Sequence, residues 1–448
     1  MKSLLRTSGA WAFFVAAFLN AFVDLGHKIT IQNTVFKVYE GSTQVVLTAL
    51  VNSLILLPFI FLVVPAGRIT DRFRRHRVMQ IAAWVSVFLA LGVALFYHLG
   101  WFEAAFAMTF LLTAQSAFYS PAKFAYLKPL FGAEKLARAN GAVQAISIGA
   151  ILAGTLVFSI AFESLYSSAN STGAALTQVA GLGWLLVATA LFELACLYRL
   201  PELDVIEPVQ AAVRKPPRIR EVVGRPLVGR TVLGISLFWG IGQVLLATFP
   251  AFLESRTGVQ NAALIQASLA MSGIGIALGA VLAGRLSKDY IETGLIPLGA
   301  LIICLSLWLM PLAQQLFTIS FLNLSLGVGG GMFLISLNAL LQFHSPEEEM
   351  GGVISVRNFF SNLVMLGFLA STILLSSIGL DETALLFVLA AVALLGTGYT
   401  IRLLPYSLTR LTVAGLMSQH YRLKVQAVEN MPPRGGVLML GNHISWVD

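Results

Sequence analysis

Charged side chains inside long apolar runs are where this sequence can do chemistry, because a charge at that depth is costly and normally faces a water-filled cavity or an opposite charge. Asp24 and Lys28 stand four apart in NAFVDLGHKITIQNTVF, on one face of a helix, so they can form an internal pair. Such a pair is either neutralised scaffolding or a cavity-facing couple that handles a substrate or an ion. His27, between them, reads as a packed or interfacial histidine. Lys123 follows Pro121 in YSPAK, and the proline is expected to break or kink its helix and leave the lysine near the membrane mouth. There it is either a topology anchor or a flexible point charge for a lipid phosphate. Arg357 follows the acidic stretch HSPEEEM at 344–350, which would hold it at the membrane edge; turned to a cavity instead, its guanidinium would suit a phosphodiester. Asn20, Gln144, Trp239, Gln243, Asn338, Gln342, Asn358 and Asn362 are further candidate lining residues, although amides in spans more often hold helices together. The two cysteines, Cys196 and Cys304, lie in apolar runs without metal spacing, so no disulfide, zinc site or cofactor is expected.

The elements that must position these groups are membrane helices. Of 448 residues 57% are hydrophobic and 11% charged, too few charges to cover a soluble protein of this size. The mean hydropathy of +0.82 comes from repeated apolar runs. Runs of roughly 20 residues match the hydrocarbon thickness, and β-barrel strands would be about half as long and alternate in polarity. Spans fall at about 8–36, 43–66, 78–99, 102–120, 139–162 and 179–199, then 229–253, 262–284, 291–313, 316–342, 352–378 and 382–404. Between the two sets lies a polar, proline-rich linker, giving an N-terminal half at 1–200, a linker at 201–226, a C-terminal half at 227–404 and a tail at 405–448. The first run follows Lys2 and Arg6 without a convincing cleavage site, so it reads as an uncleaved span. Glycines crowd GIGIALGAVLAG at 273–284 and GVGGG at 327–331, a pattern for close helix packing.

The formal charge of +8 is a topology signal and gives no reason to expect nucleic acid. Lysine and arginine crowd the even-numbered connections and both ends, whereas the odd-numbered connections hold chiefly Lys37 and Arg256, so both ends are expected to be cytoplasmic. The strongest marker is PAGRITDRFRRHRVM at 65–79, with arginines at 68, 72, 74, 75 and 77. Gly67 is expected to admit a close helix neighbour, and Asp71 to accept from a helix N-terminus or an arginine. This stretch resembles the loop between helices two and three of the major facilitator superfamily. Gly67, Asp71, Arg72 and Arg75 would be its hinge residues, and Arg74 replaces a second glycine. Gly284, Arg285, Leu286 and Lys288 repeat the hinge faintly after the eighth span.

YSPAK at 119–123, KLARANG at 135–141, SLFWG at 236–240 and LNALLQ at 337–342 together resemble the bacterial lysophospholipid transporter family within that superfamily, over about residues 8–404. The resemblance implies a multi-pass protein of the bacterial inner membrane that moves lysophospholipid from the outer to the inner leaflet. Asp24, Lys28, Lys123, Gln144, Trp239, Gln243, Asn338 and Arg357 are the residues expected to bind substrate or couple its movement.

After Arg402 the pattern changes. Leu408 to Tyr421 can form an amphipathic helix on the membrane surface, followed by strand-like runs at 423–428 and 437–440 around a proline-glycine turn. The second run delivers Gly441, Asn442, His443 and, four residues further, Asp448. ENMPPRGGVLMLGNHISWVD resembles the opening of a glycerophospholipid acyltransferase, the truncated start of an α/β domain fused to the transporter. The resemblance makes His443 the general base toward an acceptor hydroxyl, with Asp448 orienting it. It also implies that a completed domain would be a 1-acylglycerophospholipid O-acyltransferase served by an acyl carrier protein or other acyl donor. No acyl transfer is expected from these 448 residues alone. Two other readings remain open: a drug or nutrient exporter with Asp24 as proton carrier, and a membrane anchor for the enzyme.

Overall fold

The computed structural model describes residues 2–132, 136–203, 219–287, 291–345 and 350–420. Among these the secondary structure is helical, with six long helices before the linker and six after it. The first half contains α1 (Ala10–Val38), α2 (Gly41–Phe61), the short α3 (Val63–Arg72), α4 (Arg75–Leu99), α5 (Phe102–Phe131), α6 (Leu136–Leu165), the short α7 (Thr172–Gln178) and α8 (Gly181–Leu197). The second contains α9 (Pro226–Thr257), α10 (Ala262–Leu286), α11 (Leu295–Leu309), α12 (Leu316–Phe343), α13 (Met350–Ser377) and α14 (Glu382–Leu403), followed by α15 (Pro405–His420). Ten of the described helices are long and apolar enough to cross a membrane, or eleven if α7 and α8, which meet at 60°, form one bent span. The remaining long helix, α5, is diluted by polar positions such as Gln115, Ser116 and Lys123. Large apolar side chains point outward, among them Phe88 at 65% and Leu395 at 76% exposure, as a hydrocarbon surround requires.

Each half has its own apolar core. One joins α1, α4, α5, α6 and α8, with Val51 of α2; the other joins α9, α10, α11, α12 and α14, with Phe36 of α1 reaching in from the first half. The halves meet where α2 packs on α9 and α13, through Ala49, Leu56, Ala247, Met365 and Leu369, and where α6 packs on α10.

The glycine runs do what their spacing suggests. Gly275 and Gly279 on α10 face Gly327, Val328 and Gly331 on α12, and a Cβ on Gly275 would stand 2.9 Å from the Gly327 Cα. Backbone against backbone leaves no flexible side chain to move aside. Gly279→Leu should therefore destabilise the second half by about 1–3 kcal/mol or more, read as a lower Tm of the purified protein in detergent. An unchanged Tm would mean that the interlock contributes nothing.

Two expectations are corrected here. Pro121 does not end its helix: α5 runs on through Pro121 and Pro129 to Phe131. Gly67 admits no close neighbour, since a Cβ there would meet nothing within 4 Å. The basic hinge is held instead by Arg74 and Arg77, each 3.3 Å from the Glu202 carboxylate beyond α8. Arg72 is exposed, its guanidinium 5.9 Å from the Phe73 ring, and Arg75 is half-buried. The Asp71 side chain, Lys288 and residues 204–218 of the linker lie outside the described residues.

At the opposite end of the molecule the halves are latched. Lys37 at the end of α1 pairs with Glu163 at the end of α6 at 2.9 Å, with 12% and 17% of the side chains exposed. The Lys37 ammonium also donates to the Gln260 carbonyl at 2.7 Å, and Glu163 accepts from the Ala262 N–H, both in the other half.

The amphipathic helix after the last span starts at Pro405, earlier than its apolar pattern indicates, because proline is well suited to a first helical turn. It is docked on the α10–α11 connection: Arg410 donates to Glu292 at 2.8 Å, Thr293 donates to Ser407 at 2.8 Å, and Leu411 packs on Ala283, Leu295 and Met332.

Candidate functional site

A cavity of about 250 Å³ opens between the halves, bounded by α1 and α6 on one side and α9 and α10 on the other. On α1 the lining residues Leu25, Lys28, Ile29, Gln32, Asn33 and Phe36 recur at three- and four-residue intervals, so a single helix face supplies them. Opposite stand Trp239, Leu246, Ile265, Gln266 and Leu269, with Ile151 and Leu152 closing the flank. Gln32 donates to Asn52 and Asn33 to Ser159, each at 3.3 Å, which fixes both amides against their neighbours. Lys28 is the one charged residue among those lining the cavity, and it has no ion pair among the described residues. One ammonium group, a few amides and long apolar walls fit an amphiphile with a single anionic head.

Asp24 lies elsewhere. The internal pair expected with Lys28 does not form: Ser116 on α5 donates to the Asp24 carboxylate, and Asp24 is absent from the cavity lining. Continuation of α5 past Pro121 carries Lys123 into the first half, where it is 8% exposed, with its ammonium 5.9 Å from the Tyr119 ring and 5.2 Å from the Phe124 ring. The mouth position expected for Lys123 is therefore corrected to a buried one. Glu193 on α8 is fully buried beside Asn20 and within electrostatic reach of Asp24 and Lys123. The sequence reading missed Glu193, although a lone glutamate in LLVATALFELACLY was signal enough. His27 is packed, 2.9 Å from the Tyr97 hydroxyl and 3.2 Å from that of Thr109.

Arg357 donates at 2.6 Å to both Asn338 and Asn358, and Asn338 donates to the Leu334 carbonyl at 2.8 Å. The arginine is thus bound by neighbouring amides, while acids 347–349 lie outside the described residues. Gln243 is half-buried on α9 and is not in the cavity lining. The side chain of Gln144, together with His443 and Asp448, lies outside the described residues.

Residues 9–368 match the Major Facilitator Superfamily. The lysophospholipid transporter LplT of Klebsiella pneumoniae (strain 342) is 29% identical over 392 residues, 85% of this chain and 92% of that protein. Its counterpart in Serratia proteamaculans (strain 568) is 30% identical over 368 residues, 79% of this chain and 85% of that protein. Among solved structures, a D-xylose-proton symporter superposes with a TM-score of 0.65 at 16% identity, over 88% of this chain and 97% of its own. A bacterial homologue of the iron transporter ferroportin, in an inward-facing state, gives 0.64 at 14% identity, over 87% and 97%. At such identities the likeness shows the fold.

Proposed function

Because the chain belongs to the major facilitator superfamily, we propose that it is a lysophospholipid transporter that takes its substrate into the cavity between the halves, with the phosphate on Lys28 and the acyl chain along the apolar walls. The observation that carries this reading is the Lys28 ammonium group, without an ion pair among the described residues, on an otherwise polar-to-apolar wall. Relatives named as lysophospholipid transporters, matched over most of their length, supply the substrate class. A zwitterionic or anionic head group meets one cation there, and its one chain needs no second groove.

In this reading the substrate moves from the outer to the inner leaflet of a bacterial inner membrane and both ends are cytoplasmic, an orientation that the lysine and arginine bias supports. The tail motif at His443 and Asp448 then belongs to a glycerophospholipid acyltransferase that reacylates the delivered lipid, and tethering keeps that enzyme concentrated at the exit. Membrane lipids surround the spans, and an acyl carrier protein or another acyl donor would serve the enzyme.

Vesicles containing the purified protein should take up fluorescent lysophosphatidylethanolamine saturably and faster than protein-free vesicles. The same uptake rate with and without protein would overturn the proposal and return the exporter and anchor readings to the front.

A further inference from the structure

A second cavity, of about 270 Å³, lies wholly within the second half, between α9, α11, α12 and α14. It shares no lining residue with the cavity between the halves: Leu233, Leu237 and Ile241 of α9 face it, whereas Trp239 and Leu246 of the same helix line the other. Its floor is packed core, with Phe238, Ile303 and Phe333 all buried, and its rim is outer surface, with Leu233 and Tyr399 exposed. It is therefore a groove that opens sideways to hydrocarbon and gives a transported molecule no passage. Gly396 on α14 helps to keep it open, since a Cβ there would meet nothing within 4 Å.

The polar groups are sorted along its length. Thr231, Thr397 and Thr400 donate to the carbonyls of Leu227, Ala300 and Thr397 at 2.8, 3.0 and 2.9 Å, so the hydroxyls inside the groove are already engaged with the backbone. Arg230 is the one charged residue in the lining; it is exposed and makes no ion pair or hydrogen bond among the described residues. Arg230 on α9 and Tyr399 on α14 each stand one turn in from the helix end that meets the linker or the tail, and so lie at one depth. At that depth an arginine stem rests on hydrocarbon while its guanidinium reaches head groups, and tyrosine is favoured.

We propose that this groove holds one acyl chain of an acidic phospholipid from the leaflet on the linker side, with the phosphate on Arg230 and the second chain in the surrounding bilayer. An empty apolar groove forfeits contacts along its walls, and in a bilayer the nearest filler is an acyl chain. The guanidinium, with no carboxylate to answer it among the described residues, favours a head group of net negative charge over a zwitterionic one. A lipid held there bridges α9 and α14, and α9 also presents Trp239 and Leu246 to the cavity between the halves, so occupancy supports one wall of that cavity. The site does not depend on the cargo proposed above.

The test uses the purified full chain in detergent, washed free of lipid. Native mass spectrometry should find dioleoylphosphatidylglycerol retained at a concentration where dioleoylphosphatidylcholine is not, and the first lipid should raise the Tm more than the second. Glycerol phosphate, which offers the phosphate without chains, should leave the Tm unchanged. Arg230→Gln, at an exposed position, should weaken phosphatidylglycerol binding about tenfold or more and bring it level with phosphatidylcholine. Gly396→Leu sets a side chain into the groove and a better helix former into α14, so it should abolish retention without lowering the lipid-free Tm. If Gly396→Leu is itself unstable, Arg230→Gln decides. Equal retention of the two lipids by the wild type, undiminished phosphatidylglycerol binding by Arg230→Gln or by a stable Gly396→Leu protein, or a Tm rise with glycerol phosphate alone would each overturn the site.

Discussion

Lys28→Met should lower lysolipid uptake about 10- to 100-fold with the fold unchanged, since a charge-assisted bond to phosphate contributes about 1.5–3 kcal/mol and each 1.4 kcal/mol is about tenfold. Among the described residues Lys28 makes no ion pair that its removal would strand, and the methionine stem preserves most of its contact with the apolar wall. Lys28→Arg keeps the charge and should retain much of the activity. Gln32 and Asn33, already bonded to Asn52 and Ser159, are poorly placed to compensate for the missing ammonium. The measurement is initial uptake at matched protein density in vesicles, with Tm as the control for folding. Wild-type uptake by a stable Lys28→Met protein would remove this lysine from the substrate path.

His443→Ala, introduced into a protein carrying the whole acyltransferase domain, should cut acyl transfer by about 10²- to 10⁴-fold, the usual contribution of a general base. Lysolipid translocation should be nearly unaffected, because His443 lies in the tail, far along the chain from the cavity helices. The two activities need separate assays, since acylation traps lipid inside the vesicle and mimics uptake. Retained acyl transfer would reject the catalytic assignment, whereas joint loss of both activities in a folded protein would reject the separation of the two modules.

Most of the architecture was legible because length and apolarity determine what a bilayer accepts, and the close packing of α10 on α12 followed from the crowding of glycines at 273–284 and 327–331. The site was less legible. Asp24 and Lys28 have helix-pair spacing, yet spacing cannot show which neighbouring helix reaches each residue, and Ser116 on α5 captures the carboxylate first. The placement of Lys123 turned on Pro121, whose cost is local and was outweighed by burial of the helix that continues beyond it. Gly67 matched a pattern whose usual reason, close approach, is not present here. Glu193 stands alone in an apolar run, which marks it as costly, but only the fold shows that Asn20 and Lys123 lie beside it.

The latch at Lys37 and Glu163 has a direction built into it. In the second half the lysine meets a carbonyl oxygen and the glutamate meets an N–H, two main-chain groups whose polarity no substitution there can reverse. Exchanging the two charges would keep the ion pair but set a carboxylate against the carbonyl and an ammonium against the amide hydrogen. Charge swapping, the usual route by which paired residues drift together, is therefore closed to this pair. Any lineage that loses one of the two must regain the same residue or build a different fastening at that end.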